Sequence, residues 1–169
     1  AYNHAIDRQY PFQMAQSYFD GTNFYFEIDQ EDDWRRKGPS KENRREPILG
    51  MGLLLDARQV PMGMTLYPGN QSERPQQGKL IRSIQKRMGF EGRTVRVADK
   101  GLNCAKNIHE SLKEGDGYLY SKSVKGLPEE EIAWILNDQD YRQVYDREGK
   151  VLYAYKACVD TFTYRYQDE

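Results

Sequence analysis

Two aspartates stand where an apolar, β-prone run would otherwise continue: Asp20 in Ser17-Tyr-Phe-Asp-Gly-Thr-Asn-Phe-Tyr-Phe-Glu27 and Asp99 in Thr94-Val-Arg-Val-Ala-Asp-Lys-Gly-Leu-Asn103. A carboxylate inside a strand, or at its carboxyl end, gives up burial and invites repulsion, so it takes a partner. For two such acids the commonest shared partner is a hard divalent cation. The chemistry these residue types support is metal-assisted phosphoryl transfer. Taken singly, either aspartate reads more simply as a turn former or a helix N-cap. It is the pair that points to a cation.

The elements that must position them follow from periodicity. Residues 17–28 read as a first strand, buried and bulged at Gly21, and Ile48–Leu55 and Met62–Tyr67 as a second and third joined by a turn through Asp56-Ala-Arg-Gln59. A helix is expected from Ser72 as N-cap, with Pro75 in its first turn and Gly89 as left-handed cap. Thr94–Ala98 then delivers Asp99 at its carboxyl end. A second helix starts at Asn103, with Ala105, Ile108 and Leu112 as its dry stripe, and stops at Gly115; Tyr118–Ser121 is the fifth strand. Three antiparallel strands followed by helix, strand, helix and strand is the order of an RNase H-like α/β sheet. In that order the first and fourth strands are neighbours, and ligands gather beyond strand carboxyl ends. The carboxylate oxygens of Asp20 and Asp99 are therefore expected within about 7 Å of each other, the reach of two acids sharing hard cations.

After Ser123 the pattern changes. Glu129–Leu136 reads as a short helix, and Tyr141–Tyr145, Val151–Tyr155 and Thr161–Tyr166 as antiparallel strands, with Asp146-Arg-Glu-Gly149 as a hairpin turn. The domain plan is a partial lead-in over 1–16, a core over 17–123 and the start of a β-rich insertion over 124–169.

Composition narrows the class without choosing the function. The chain has 169 residues, 38% hydrophobic and 30% charged, enough for one core. Its longest apolar run, Ile48–Leu55, is far short of the roughly 20 residues of a membrane span, and no signal-peptide pattern opens it. A cytoplasmic protein without membrane contact is expected. Cys104 and Cys158 lie far apart, and neither His4 nor His109 has a ligand-spaced neighbour, so no zinc site is expected. The net charge of −1 leaves no overall basic footprint. Lys79, Arg82 and Lys86 recur at helical spacing, which is also the wet face opposite Leu80, Ile84 and Met88. Glu31–Glu46 carries six basic and five acidic residues and reads as a solvated loop, with Arg35, Arg36, Arg44 and Arg45 as phosphate-matching forks.

The strings Asp20-Gly-Thr-Asn-Phe-Tyr-Phe-Glu27, Tyr67-Pro-Gly-Asn70 and Val97-Ala-Asp-Lys-Gly-Leu-Asn103, followed by Gly115-Asp-Gly-Tyr118, resemble the DDE transposases of bacterial insertion sequences in kind and order. The resemblance is strongest from Ser17 to Lys122. It implies a transposase catalytic core that cuts and joins DNA with two Mg²⁺ or Mn²⁺ ions. Asp20 and Asp99 would be two of its three catalytic, metal-binding acids. It also implies transposon ends and target DNA as partners, and a homodimer for the full-length protein. Asn23, Arg35, Arg36, Lys79, Lys100 and Lys122 are the candidates for DNA contact. The family's third acid, a glutamate on a later helix, is expected beyond this chain, since Glu110, Glu148 and Glu169 match no such helix. With two of three acids, the chain alone is expected not to cut DNA. Another RNase H-like nuclease or resolvase, and a non-catalytic transposase remnant, remain as alternatives.

Overall fold

The computed structural model describes residues 2–39, 45–161, 163 and 165. The chain divides into two units, Ala1–Lys122 and Ser123–Glu169. In the first, an additional helix, α1 (Tyr2–Gln9), precedes five strands: β1 (Gln16–Tyr25), β2 (Ile48–Leu55), β3 (Pro61–Pro68), β4 (Val95–Ala98) and β5 (Gly117–Tyr120). Helix α2 (Gln76–Met88) joins β3 to β4, and α3 (Ala105–Lys113) joins β4 to β5. The sheet is mixed, in the order β3-β2-β1-β4-β5: β1, β2 and β3 are antiparallel, and β4 lies parallel to both β1 and β5. This is a mixed α/β fold consistent with an RNase H-like sheet.

β1 is not buried on both faces, nor bulged at Gly21, as its apolar run suggested. Its ladder with β2 runs unbroken from Tyr18 opposite Leu55 to Tyr25 opposite Ile48, with Gly21 opposite Gly52. Ser17, Phe19 and Gly21 are buried while Asp20 and Thr22 are exposed, because the helices cover one face only. That covered face holds the core: Phe19, Leu54 and Met62 from the sheet, Leu80, Ile81 and Ile84 from α2, and Phe12 and Leu102 from flanking segments. Strand pairing puts Met64 and Leu66 of β3 and Leu119 of β5 on the other face, all exposed. The strand also ends three residues early, where Phe26 N–H turns aside to Pro47 O.

The β2–β3 turn is built on a buried aspartate. Asp56 accepts from the backbone N–H groups of Gln13, Arg58 and Val60 at 2.9, 2.9 and 2.8 Å, satisfying a fully buried carboxylate and pinning the lead-in to β1.

Helix α2 ends as expected on Gly89 at φ 68° but begins at Gln76, four residues beyond Ser72. The Ser72 hydroxyl instead accepts from Arg74 N–H at 3.3 Å, and Gln76 N–H closes a turn on Glu73 O at 2.9 Å. Pro75 therefore stands at the cap, where its missing N–H leaves no donor unmatched. In α3 the buried stripe is Asn107, Ile108 and Ser111, whereas Leu112 is 54% exposed. The buried polar pair is satisfied locally, Asn107 Nδ2 donating to Leu102 O and Ser111 Oγ to Asn107 O.

Arg96, 1% exposed, points from β4 into this same layer. Its guanidinium donates to Asp116 at 2.9 and 2.6 Å and to Glu114, while Arg82 of α2 reaches Glu114 at 2.6 Å. The network fastens β4 to the α3–β5 turn just before Asp99 leaves the sheet.

The second unit holds a 3-10 turn at Val124–Gly126, α4 (Glu129–Leu136) and a hairpin of β6 (Arg142–Tyr145) and β7 (Val151–Tyr155). The hairpin turn is the expected one, with the Asp146 carboxylate taking the N–H groups of Glu148 and Lys150, each at 2.9 Å. Of the expected strand Thr161–Tyr166, Thr161, Thr163 and Arg165 are not in strand, and the remainder lies outside the described residues.

Candidate functional site

β1 and β4 pair from Gln16 opposite Val95 to Tyr18 opposite Val97. Two residues past that last pair stand Asp20 on one strand and Asp99 just beyond the other. Both aspartates line one open cleft of about 290 Å³ on the helix-free face, with Tyr18, Leu53, Leu55 and Val97 as its apolar walls. They are held differently. Asp20 sits inside a continuous ladder opposite Leu53. Asp99 lies after the last residue of β4, its Oδ1 accepting from Gly101 N–H at 2.9 Å and its carbonyl from Leu102 N–H at 3.2 Å. That is the tight turn an aspartate makes at a strand end.

Glu73, from the segment between β3 and α2, packs against the covered face of β1 at Gly21, one residue on from Asp20. Two glycines leave room for it. A Cβ on Gly21 would overlap the Glu73 carboxylate, and one on Gly101 would stand 3.2 Å from Glu73 Oε1 and 3.1 Å from Asp99 Oδ1. The segment is tied to the turn after β4 by Arg74 Nε, which donates to Gly101 O at 3.1 Å. Tyr67, 4% exposed, lies against Gly50, where a side chain would displace its ring, and its hydroxyl comes 3.4 Å from the Gly21 position. Burial, with the charges of Glu73 and Asp20 adding to it, raises the Tyr67 phenol to about 12. It stays protonated beside them at neutral pH. No sequence argument singled out Glu73, which falls in a stretch that reads only as a turn and a helix start. The legible signal was a glycine next to Asp20 and another two residues after Asp99.

The candidates for DNA contact come from several segments of the chain. Asn23 lines a cleft of about 440 Å³ with Asn70, Gln71, Ser72, Glu73 and Arg74. Arg35 pairs with Asp32 at 2.5 Å and lies over the Phe26 ring, and Arg36 approaches Glu31 and Asp33 at 3.6 Å each. The charge-rich loop thus matches much of its own charge; its Arg44 lies outside the described residues. Lys79 on α2, Lys100 and Lys122 are exposed, but on separate segments. Arg82, from the same basic stripe as Lys79, is engaged with Glu110 and Glu114.

Two carboxylates in an open cleft are the hard oxygen donors that Mg²⁺ or Mn²⁺ takes. Among the described residues no three His, Cys, Asp or Glu side chains stand at metal-ligand spacing. No helix among them is long and apolar enough to cross a membrane.

No family model matches the chain, and no curated protein sequence matches it. Among solved structures it is similar to a Mos1 transposase paired-end complex with left transposon end, at 9% identity over 68% of this chain and TM-score 0.43. It is similar also to a piggyBac transposase synaptic complex with hairpin DNA, at 11% identity over 90% of this chain and TM-score 0.47. The chain spans 38% and 35% of those two chains. Both scores lie below 0.5, too low to place it in either family.

Proposed function

We propose that the first unit is the core of a DDE-type transposase, cutting and joining DNA strands with Mg²⁺ or Mn²⁺ held by Asp20 and Asp99. The observation that carries this reading is the meeting of the two acids in one cleft, from neighbouring parallel strands, in the order and context that resemble insertion-sequence transposases. A bound divalent cation would supply activation of a water or 3′-hydroxyl and neutralise charge on the leaving oxygen. The protein's part is to hold the carboxylates where a phosphodiester can enter. Asp20 is fixed by the ladder, Asp99 by its turn, and the apolar walls of Tyr18, Leu53 and Val97 keep the cleft floor free of competing donors. Asn23 and the neighbouring Asn70 and Ser72 offer neutral hydrogen-bonding groups for a sugar-phosphate chain, which positions DNA without reading its sequence.

The test begins with Mn²⁺ uptake by the 169-residue chain, followed by calorimetry or the loss of the free-ion EPR signal. Uptake is expected in the unsubstituted chain and is expected to disappear in Asp20→Asn and Asp99→Asn while their circular dichroism stays unchanged. Uptake that survives both substitutions defeats the assignment. Joining of a labelled 3′-hydroxyl oligonucleotide to plasmid DNA by a longer protein that carries the third acid then separates a transposase from a nuclease that only hydrolyses.

A further inference from the structure

We propose that Arg74 is a positioning residue for Asp99, holding the turn that presents this carboxylate to the cleft; the inference rests on the reading of Asp20 and Asp99 as a divalent-cation site. The contact that carries it is at Gly101. Both polar groups of that residue are engaged: its N–H donates to Asp99 Oδ1 at 2.9 Å, and its carbonyl accepts from Arg74 Nε at 3.1 Å. Arg74 stands 27 residues earlier, in the segment between β3 and α2. Gly101 thus meets the carboxylate with its N–H, while its carbonyl is tied to a distant part of the first unit.

The rest of the turn shows why a tie is needed there. Leu102 is buried, and its carbonyl takes the Nδ2–H of Asn107, itself buried on α3, at 2.9 Å. Asn103 Nδ2 donates to Ser121 O at 3.1 Å, just past the end of β5. The far end of the turn is therefore seated in the core and against β5. The near end is not: the last rung of β4 pairs Ala98 with Tyr120, and Asp99 and Lys100 beyond it are exposed. Gly101 stands between the two ends. A Cβ there would come 3.1 Å from Asp99 Oδ1, so packing by a side chain is closed to this position and a bond to the backbone takes its place.

Charge makes the role separable. A guanidinium is always positive, and a positive charge repels a divalent cation, so by charge alone the removal of Arg74 strengthens binding. Positioning predicts the reverse. Glutamine places its amide nitrogen as many bonds from the backbone as the Nε of arginine, keeping the donor and losing the charge. Methionine keeps the length and loses both.

The experiment compares the 169-residue chain with Arg74→Met, Arg74→Gln, Arg74→Ala and Asp20→Asn. Each is titrated with Mn²⁺ and, free of cation, followed by amide hydrogen exchange at Gly101, Leu102 and Asn103. Arg74→Met should bind Mn²⁺ roughly tenfold more weakly, the scale on which groups that orient a metal ligand act. Its turn amides should exchange roughly three- to tenfold faster, as for one lost hydrogen bond in a locally opening segment. Arg74→Gln should return both readings to near the parent, and that rescue is what a merely supporting side chain does not give. Arg74→Ala decides the matter if Arg74→Met misfolds. Asp20→Asn should lose binding while its turn amides exchange as in the parent. Parental affinity in a folded Arg74→Met or Arg74→Ala chain overturns the positioning role and leaves the two-aspartate site standing. The same change of affinity in Arg74→Gln as in Arg74→Met, in either direction, also overturns it, because Nε is then not the acting group. A parent chain that takes up no Mn²⁺ overturns the cation site and the proposal with it.

Discussion

At the scale of single residues, the centre depends as much on what is missing as on what is present. Asp20 carries its charge on the open face of β1, while Gly21 beside it makes room on the covered face for Glu73. Replacing Gly21 by alanine should therefore separate stability from function. The atom in the way is the far end of a flexible side chain, which can move, so the loss of stability should stay below the roughly 1–3 kcal/mol of an overpacked rigid core. Cation affinity, in contrast, should hold, because the Asp20 carboxylate leaves β1 on the opposite face. A thermal melt beside a Mn²⁺ titration measures the two quantities on one sample. A large loss of affinity in a folded Gly21→Ala chain would show that the covered face of β1 also serves the site.

At the scale of elements, the Arg96 network decides whether β4 presents Asp99 at all. Removing the guanidinium strands Asp116, 2% exposed, without its partner, and breaking a buried pair in this way costs about 3–5 kcal/mol. Arg96→Ala should lower the urea midpoint accordingly. The same network sets an acid limit. Burial pushes the Glu114 carboxyl up, but hydrogen bonds from Arg82 and Arg96 outweigh it and hold the group below its ordinary 4.5. A depressed folded pKa gives stability that is present above 4.5 and lost as pH falls through the folded value. Thermal melts should therefore soften below about pH 4.5, and less so in Glu114→Gln. Much of this level was legible in the sequence: β2, α4 and β7 fall where periodicity places them, and Gly89 stops α2. The stripe of α3 was not. Apolar spacing favoured Leu112, while Asn107 and Ser111 take the interior by bonding to nearby carbonyls, an option that counting apolar residues does not see. That β1 and β4 are neighbours was readable from the order of the elements; their register was not. Glu73 was not, since its position depends on a turn whose direction no periodicity encodes.

At the scale of the whole molecule, the two units differ in how they are held. The core cluster lies wholly within the first, between Phe12 and Leu102. The described residues of the second include none that is buried. Residues 1–122 expressed alone should thus melt cooperatively by circular dichroism, whereas residues 123–169 alone should show no cooperative transition, as a lone two-stranded hairpin has too little to bury. A sharp melt from the second piece would contradict this. Within the first unit the two aspartates also live on different clocks. Asp20 is clamped by a ladder whose amides open only with the sheet, while Asp99 sits past the last rung of its strand, on a turn with short local bonds. On the proposed reading, ordering upon cation capture would fall mainly on residues 99–103, so the entropy of binding would be set on one bank of the cleft and the alignment on the other. Affinity could then be tuned along the Asp99 turn, through glycine content and loop stiffness, with the geometry dictated by Asp20 left untouched.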